Sequence, residues 1–314
     1  MTETISEVAT SGAPPDTLAS GEDITPWRGV GTTVSGLMSI DAALSAADLE
    51  WDVELSPEQH TFNGEIRTIP KRFVSRRVTD GLVFGTGIGG GYHPIQNRDA
   101  FKFADHILDT GEAQISTAGR GGAKVFMTMK LSESTTVAGE PFDGYLMLST
   151  THDGKGSLQA AFTTIRVACQ NQVTMALKSA KSRWSMTHRT TLEGRVAEAQ
   201  QTLQLSHKYQ DEFAAEVEAL LSIPLEKDQF LEMEASMLPE SKFAKEKKVD
   251  MFAAAWEHET TPTENTGWKA INAHTFATNH LTRYLRPEVR MKSLMDGDGA
   301  KSLDRLKTSV LALA

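Results

Sequence analysis

The chain has 314 residues, 39% of them hydrophobic and 23% charged, with a formal net charge of −9. Such a composition belongs to a folded globular protein, and the length allows one large domain or two ordinary ones. Its single cysteine excludes an intramolecular disulfide and a cysteine-based zinc centre, and its apolar runs fall far short of the ~18 residues that span a bilayer.

Residues 1–24 are rich in Ser, Thr, Gly, Ala, Pro and acids and poor in large apolar groups. They are expected to form a disordered arm. They lack the basic and apolar regions of a secretory signal, so the expected compartment is the cytoplasm. Order is expected from Thr25-Pro26-Trp27 onward. Ser39 should cap a helix over 40–47, with Ile40, Ala43, Leu44 and Ala47 on one face. Leu49 to Leu55 alternates as a strand. Ile66 to Val78 reads as a second strand carrying Arg67, Lys71, Arg72, Arg76 and Arg77, with Pro70 placing it at an edge or breaking it. Positive charge on such a strand either defends an exposed edge or contacts phosphate.

Gly81 to Gly91 contains G-x-G-x-x-G at Gly85, Gly87 and Gly90. No helix pattern opens directly behind it, so it reads as a flexible glycine loop rather than a dinucleotide site. A helix is expected over 97–108. Alternating segments before Gly119 to Gly122, over 124–131, over 145–150 and over 157–167 then read as an antiparallel β-meander. The last strand should deliver Arg166 to a corner where a helix, 170–181, begins. Helices are expected over 191–221, 227–237, 242–257, 267–284 and 302–313. The fold class is therefore α+β: a β-meander followed by a helix in the N-terminal half, and a mostly helical C-terminal half. The expected division is a disordered arm over 1–24, an α+β domain over 25–190, and a helical region over 191–314 that packs on it.

Charge is unevenly distributed. Residues 1–60 hold one basic and eleven acidic residues, and 196–260 hold six and fourteen; residues 151–195 hold seven and two. The basic stretch contains Arg166, Lys178, Lys181, Arg183 and Arg189, with Trp184 among them. Cations interleaved with an aromatic ring suit single-stranded nucleic acid, where charge follows phosphates and a ring stacks a base. The alternative is a solvated helix end with one packing Trp.

His152-Asp153 could act as a general base pair or metal ligands, but it falls in an expected hairpin turn. Cys169 beside Arg166 could be an activated thiolate, or a small buried residue at a joint. The histidines show no metal-site spacing, and there is no phosphate-binding loop, nucleophile elbow or H-E-x-x-H. No catalytic residue, metal or cofactor is expected.

Arg166-Val167-Ala168-Cys169-Gln170-Asn171, preceded by His152-Asp153-Gly154, resembles the signature of a widespread phage- and plasmid-like family of unknown function. Thr25-Pro26-Trp27-Arg28-Gly29-Val30-Gly31 and Trp268-Lys269-Ala270-Ile271-Asn272-Ala273 extend the resemblance along the chain. Arg28 stands where many members have His, and Gln172 where Thr is commoner, which argues against catalysis at both positions. The resemblance implies a mobile element inside a bacterial cell. The meander-then-helix order also loosely resembles the core of phage single-strand annealing proteins, an analogy of topology alone.

The expected function is single-stranded DNA binding, with recombination or strand annealing by a homo-oligomer as its fuller form. Arg72, Arg76, Arg77, Arg166, Lys178, Lys181, Arg183 and Arg189 would meet phosphates. Trp184 would stack a base, and Gln170 and Asn171 would hold the corner or touch the strand. The alternative is a non-enzymatic factor that modulates a host protein. No membrane partner is expected.

Overall fold

A computed structural model of the chain describes residues 32–33, 39–102, 104–105, 113–166, 172–173, 183–188, 206–238, 242–259, 265–282, 289, 293 and 297–314. Within them the fold is α+β, with an antiparallel sheet system followed by helices. The strands are β1 (Thr32–Thr33), β2 (Val53–Phe62), β3 (Glu65–Arg77), β4 (Val83–Gly89), β5 (Ala113–Gly121), β6 (Lys124–Val137), β7 (Glu140–Thr151), β8 (Ser157–Arg166), β9 (Gln172–Val173) and β10 (Arg183–Thr187). Helices α1 (Ile40–Ala46) and α2 (Asn97–Lys102) belong to the sheet half. In the second half lie α3 (Ser206–Leu221), α4 (Lys227–Met237), α5 (Lys242–His258), α6 (Gly267–Phe276) and α7 (Asp298–Leu311). Helix α6 runs on as a π-helical turn over Ala277–Leu281.

The large sheet has the order β1-β5-β6-β7-β8-β10, with β9 also on β8. Its meander β5 to β8 follows the expected segments. From Tyr145 to Thr151 every side chain of β7 is buried, as a strand covered on both faces requires. Leu146 and Leu148 join Val125, Met127, Leu158 and Phe162 in one apolar core. Helix α1 closes it with Ile40, Ala43 and Leu44 inward. Ser39 caps α1 by accepting the Ala42 N–H at 3.2 Å, which satisfies an N–H the helix itself cannot pair.

Two expectations are corrected. Gly81 to Gly91 is not a loop, because Val83–Gly89 is a strand, β4, paired to β3. Strand β3 lies between β2 and β4 only from Arg72 onward, and its outer part, which holds Pro70, pairs with β2 alone and is an edge there, as expected. Pro70 is tolerated because pairing with β2 breaks register between Pro57 and Gln59, and β4 pairs only from Arg72 onward, so no ladder bond depends on the missing N–H. A helix does not begin at Gln170: Gln172 and Val173 pair with Ile165 and Thr164 of β8 as a strand. Residues 174–182 lie outside the described residues, and the chain returns to the sheet as β10 before the helical half begins.

A second core fills the helical half, where Phe213, Leu220, Phe230, Trp256, Trp268 and Leu306 are all buried. The sheet reaches this core through Phe142 of β7, whose ring meets Phe213 edge-on at 5.0 Å and Trp268 at 5.8 Å. Phe142 is completely buried. Truncating it removes the ring that both halves share, so Phe142→Ala is expected to cost about 3–5 kcal/mol in equilibrium denaturation.

Candidate functional site

Strands β2, β3 and β4 form a separate three-stranded sheet, and its length exceeds its cover. Phe62 and Glu65 pair across Asn63-Gly64, whose φ values of +50° and +81° are those of the tight turn that matches strand twist. Asn and Gly are the residues that adopt them most cheaply. Every residue from Gln59 to Thr68 is exposed. A two-stranded hairpin therefore extends beyond β4 with both faces in solvent.

The pleat sorts its side chains. His60 pairs with Arg67 and Phe62 with Glu65, so these four share one face, while Thr61 and Ile66 share the other. Phe62 is 51% exposed and Ile66 72%. The Arg67 guanidinium lies 5.0 Å from the Phe62 ring centroid and bonds Glu65 at 3.0 Å. Nearer the body, Lys71 is exposed, with a φ of +57°. Arg72 donates to the Gly87 carbonyl at 2.6 Å. Neither cation has a carboxylate partner among the described residues.

The arm is seated by its inner end. His152, just past the end of β7, is completely buried. Its ring lies 5.3 Å from Trp51 and 5.6 Å from Phe84 of β4. Asn97 fixes the ring's orientation. The Asn97 side-chain N–H₂ donates to Leu49 O at 2.9 Å, so its Oδ1 accepts from His152 Nε2 at 2.8 Å. Beside this, the Tyr92 ring stacks on His188 at 4.9 Å, and His188 Nε2 lies 3.2 Å from Thr150 Oγ1. A Cβ added at Gly85 would come within 2.5 Å of the Asp153 carbonyl oxygen. The glycine that suggested a nucleotide loop instead lets β4 lie against the His152-Asp153-Gly154 turn.

Burial sets the protonation of this joint. It pushes His152 down to about 3, helped by neighbouring His188 and opposed by Asp153. His188 is also lowered, mainly by burial. The Tyr92 hydroxyl is raised, first by burial and then by Asp153. No group of three or more His, Cys, Asp or Glu side chains among the described residues could hold a metal.

The expected site residues are spread across this frame. Arg76 is paired to Glu54 at 2.7 Å, and Arg77 to Asp80 at 2.8 Å, so both cations are engaged at the base of the arm. Arg72 is exposed on the arm itself. Trp184 is 5% exposed in β10 and belongs to the sheet's apolar core, which corrects its expected role, because the ring offers no face to a base. The backbones of Arg166 and Arg183 lie in β8 and β10, and their side chains lie outside what is described. Gln170, Asn171, Lys178, Lys181 and Arg189 also lie outside the described residues, as does Cys169. The exposed hairpin escaped sequence reading, although Asn63-Gly64 between Phe62 and Ile66 was a strong hairpin signal.

A family model described as a domain of unknown function, DUF932, matches residues 87–304. No curated protein and no solved structure matches the chain. The match takes in His152 and His188 and begins beyond the exposed hairpin. Among the described residues no helix is long and apolar enough to cross a membrane.

Two outcomes test the joint. An unfolded histidine binds protons below about 6.5, whereas folded His152 resists them down to about 3. Its contribution is therefore intact above about pH 6.5 and is lost progressively as pH falls toward 3. His152→Gln keeps an N–H for Asn97 but cannot titrate, so its thermal midpoint should fall less steeply over that window. Gly85→Ala should lower the midpoint at neutral pH by several degrees, since the Cβ clashes with backbone and not with a movable side chain.

Proposed function

The chain belongs to the DUF932 family, and we propose that this member binds single-stranded DNA through the arm formed by β2 and β3. The observation that carries this reading is the hairpin Gln59–Thr68, exposed throughout, with Phe62 and Ile66 at its tip. An apolar hairpin tip standing in water forgoes the stabilisation that burial would bring, so an occupant that covers it gains that stabilisation. A base stacked on Phe62 recovers it without sequence selectivity, because every base has a π-face. Lys71 and Arg72 supply cations along the same ribbon, and His60 adds a donor beside Arg67.

The net charge of −9 does not oppose this, since binding depends on charge near the phosphates and screening removes most effects beyond about 10 Å. In its fuller form the reading is a phage or plasmid protein, active in the cytoplasm of a bacterial cell, that anneals strands as an oligomer. The sequence signature around Arg166 supports that setting. The second reading, a factor that modulates a host protein, would use the same Phe62 and Ile66 as apolar anchors.

Fluorescence anisotropy with labelled oligothymidine separates the two. Binding should weaken steeply with salt. Lys71→Gln with Arg72→Gln should flatten that dependence by about 0.7 in log–log slope for each phosphate left without its cation. Phe62→Ala should cost about 1–3 kcal/mol of affinity with the fold intact. Binding at low salt no tighter than that of an equally acidic control protein would exclude DNA and leave the protein-partner reading.

A further inference from the structure

The helical half buries a constellation that the sequence does not announce. His274 of α6 is completely buried, and its Nδ1 lies 2.6 Å from Oε1 of Glu234 of α4, which is itself 1% exposed. On the other side of the ring, His274 Nε2 lies 3.1 Å from the Oγ of Ser302 of α7. Ser302 is only partly buried, and its hydroxyl donates to Gly299 O at 2.9 Å. Three helices thus line up a carboxylate, an imidazole and a hydroxyl in hydrogen-bonding sequence. This is the arrangement by which an imidazole, held by a carboxylate, takes a proton from an alcohol.

We propose that Ser302 is a nucleophile activated by His274 and positioned by Glu234, acting on small carboxylic esters. With the ring proton on Nδ1 toward Glu234, the Nε2 lone pair faces Ser302, and the Ser302 hydroxyl proton turns from Gly299 O to Nε2 for the reaction. As Ser302 Oγ bonds to the carbonyl carbon, its proton passes to Nε2 and the carbonyl π-pair moves to oxygen. When that pair returns, the C–O bond to the leaving alkoxide breaks and the Nε2 proton goes to the alkoxide. Water then repeats the sequence on the acyl-serine, which releases the acid and restores the hydroxyl.

Four further points bear on it. The His274 ring stacks on Phe252 at 5.4 Å with an interplanar angle of 11°, so its orientation is fixed by packing. Shortly after His274 the helix changes to a π-turn over Ala277–Leu281, a distortion that is rare and concentrated at functional sites. Burying a His–Glu pair is also a poor route to stability, because desolvation offsets most of the attraction and apolar replacements do as well. All three residues lie within the family match of 87–304.

Incubation of the full-length protein with a fluorophosphonate tests the proposal. In that probe Ser302 Oγ bonds to phosphorus and fluoride leaves, in place of the acyl step. Peptide mapping should find the adduct on Ser302. Ser302→Ala should abolish it. Glu234→Gln and His274→Gln should slow labelling by roughly 100-fold or more, with circular dichroism confirming that each variant is folded. If either buried-site variant fails to fold, Ser302→Ala and the position of the wild-type adduct decide. A folded wild type that forms no adduct, or an adduct that persists in Ser302→Ala, would overturn it.

Discussion

The seat of His152 is the contact on which the sheet half depends. Its ring is fully buried, lies against Trp51 and Phe84, and donates to Asn97, whose own amide is anchored on the Leu49 carbonyl. One side chain thereby ties together β7, β4, the helix start at Asn97 and the segment before β2. The cost is a histidine that must stay neutral in a place where water cannot reach it. Gly85 is the backbone counterpart, since any larger residue would lift β4 off the Asp153 carbonyl. A rigid inner end is what allows the outer end of the arm to stand in water with nothing packed on it.

The helical half is joined to this frame by apolar contact of a different kind. Phe142 extends from β7 into a ring cluster with Phe213 and Trp268, and Trp268 Nε1 points at the buried Glu140 at 3.5 Å. Both connections arise from the same end of β7, next to its tight turn with β6. Strand β7 therefore leads from Phe142 near its start to His152 just past its end, which makes it the spine shared by the arm, the large sheet and the helices.

Much of this was legible in sequence where a single period governed a segment. The alternation over 124–131 and 157–167 marked β6 and β8, and Ser39 marked the start of α1 because a hydroxyl there has an N–H to accept from. Helix α4 matches its expected bounds at Lys227 and Met237. Legibility failed where tertiary contact overrode local pattern. The glycines of β4 read as a loop because their purpose, close approach to Asp153, lies in a turn far along the chain. Trp184 read either as a ring stacking a base or as a packing Trp, because the pairing of β10 with β8, in which it is buried, is not local. The Glu234, His274 and Ser302 grouping has no spacing to detect, since its members come from three separate helices.

If the arm seated by His152 presents Phe62 to single-stranded DNA, a base must come within bonding reach of that ring. Photocrosslinking to an oligonucleotide carrying 5-iodouracil, followed by peptide mapping, reads this proximity residue by residue. The expected result is a principal adduct on Phe62, within the segment Gln59–Thr68, that diminishes with added salt. Adducts confined to other segments, or none under conditions where a known single-strand binder crosslinks, would contradict it.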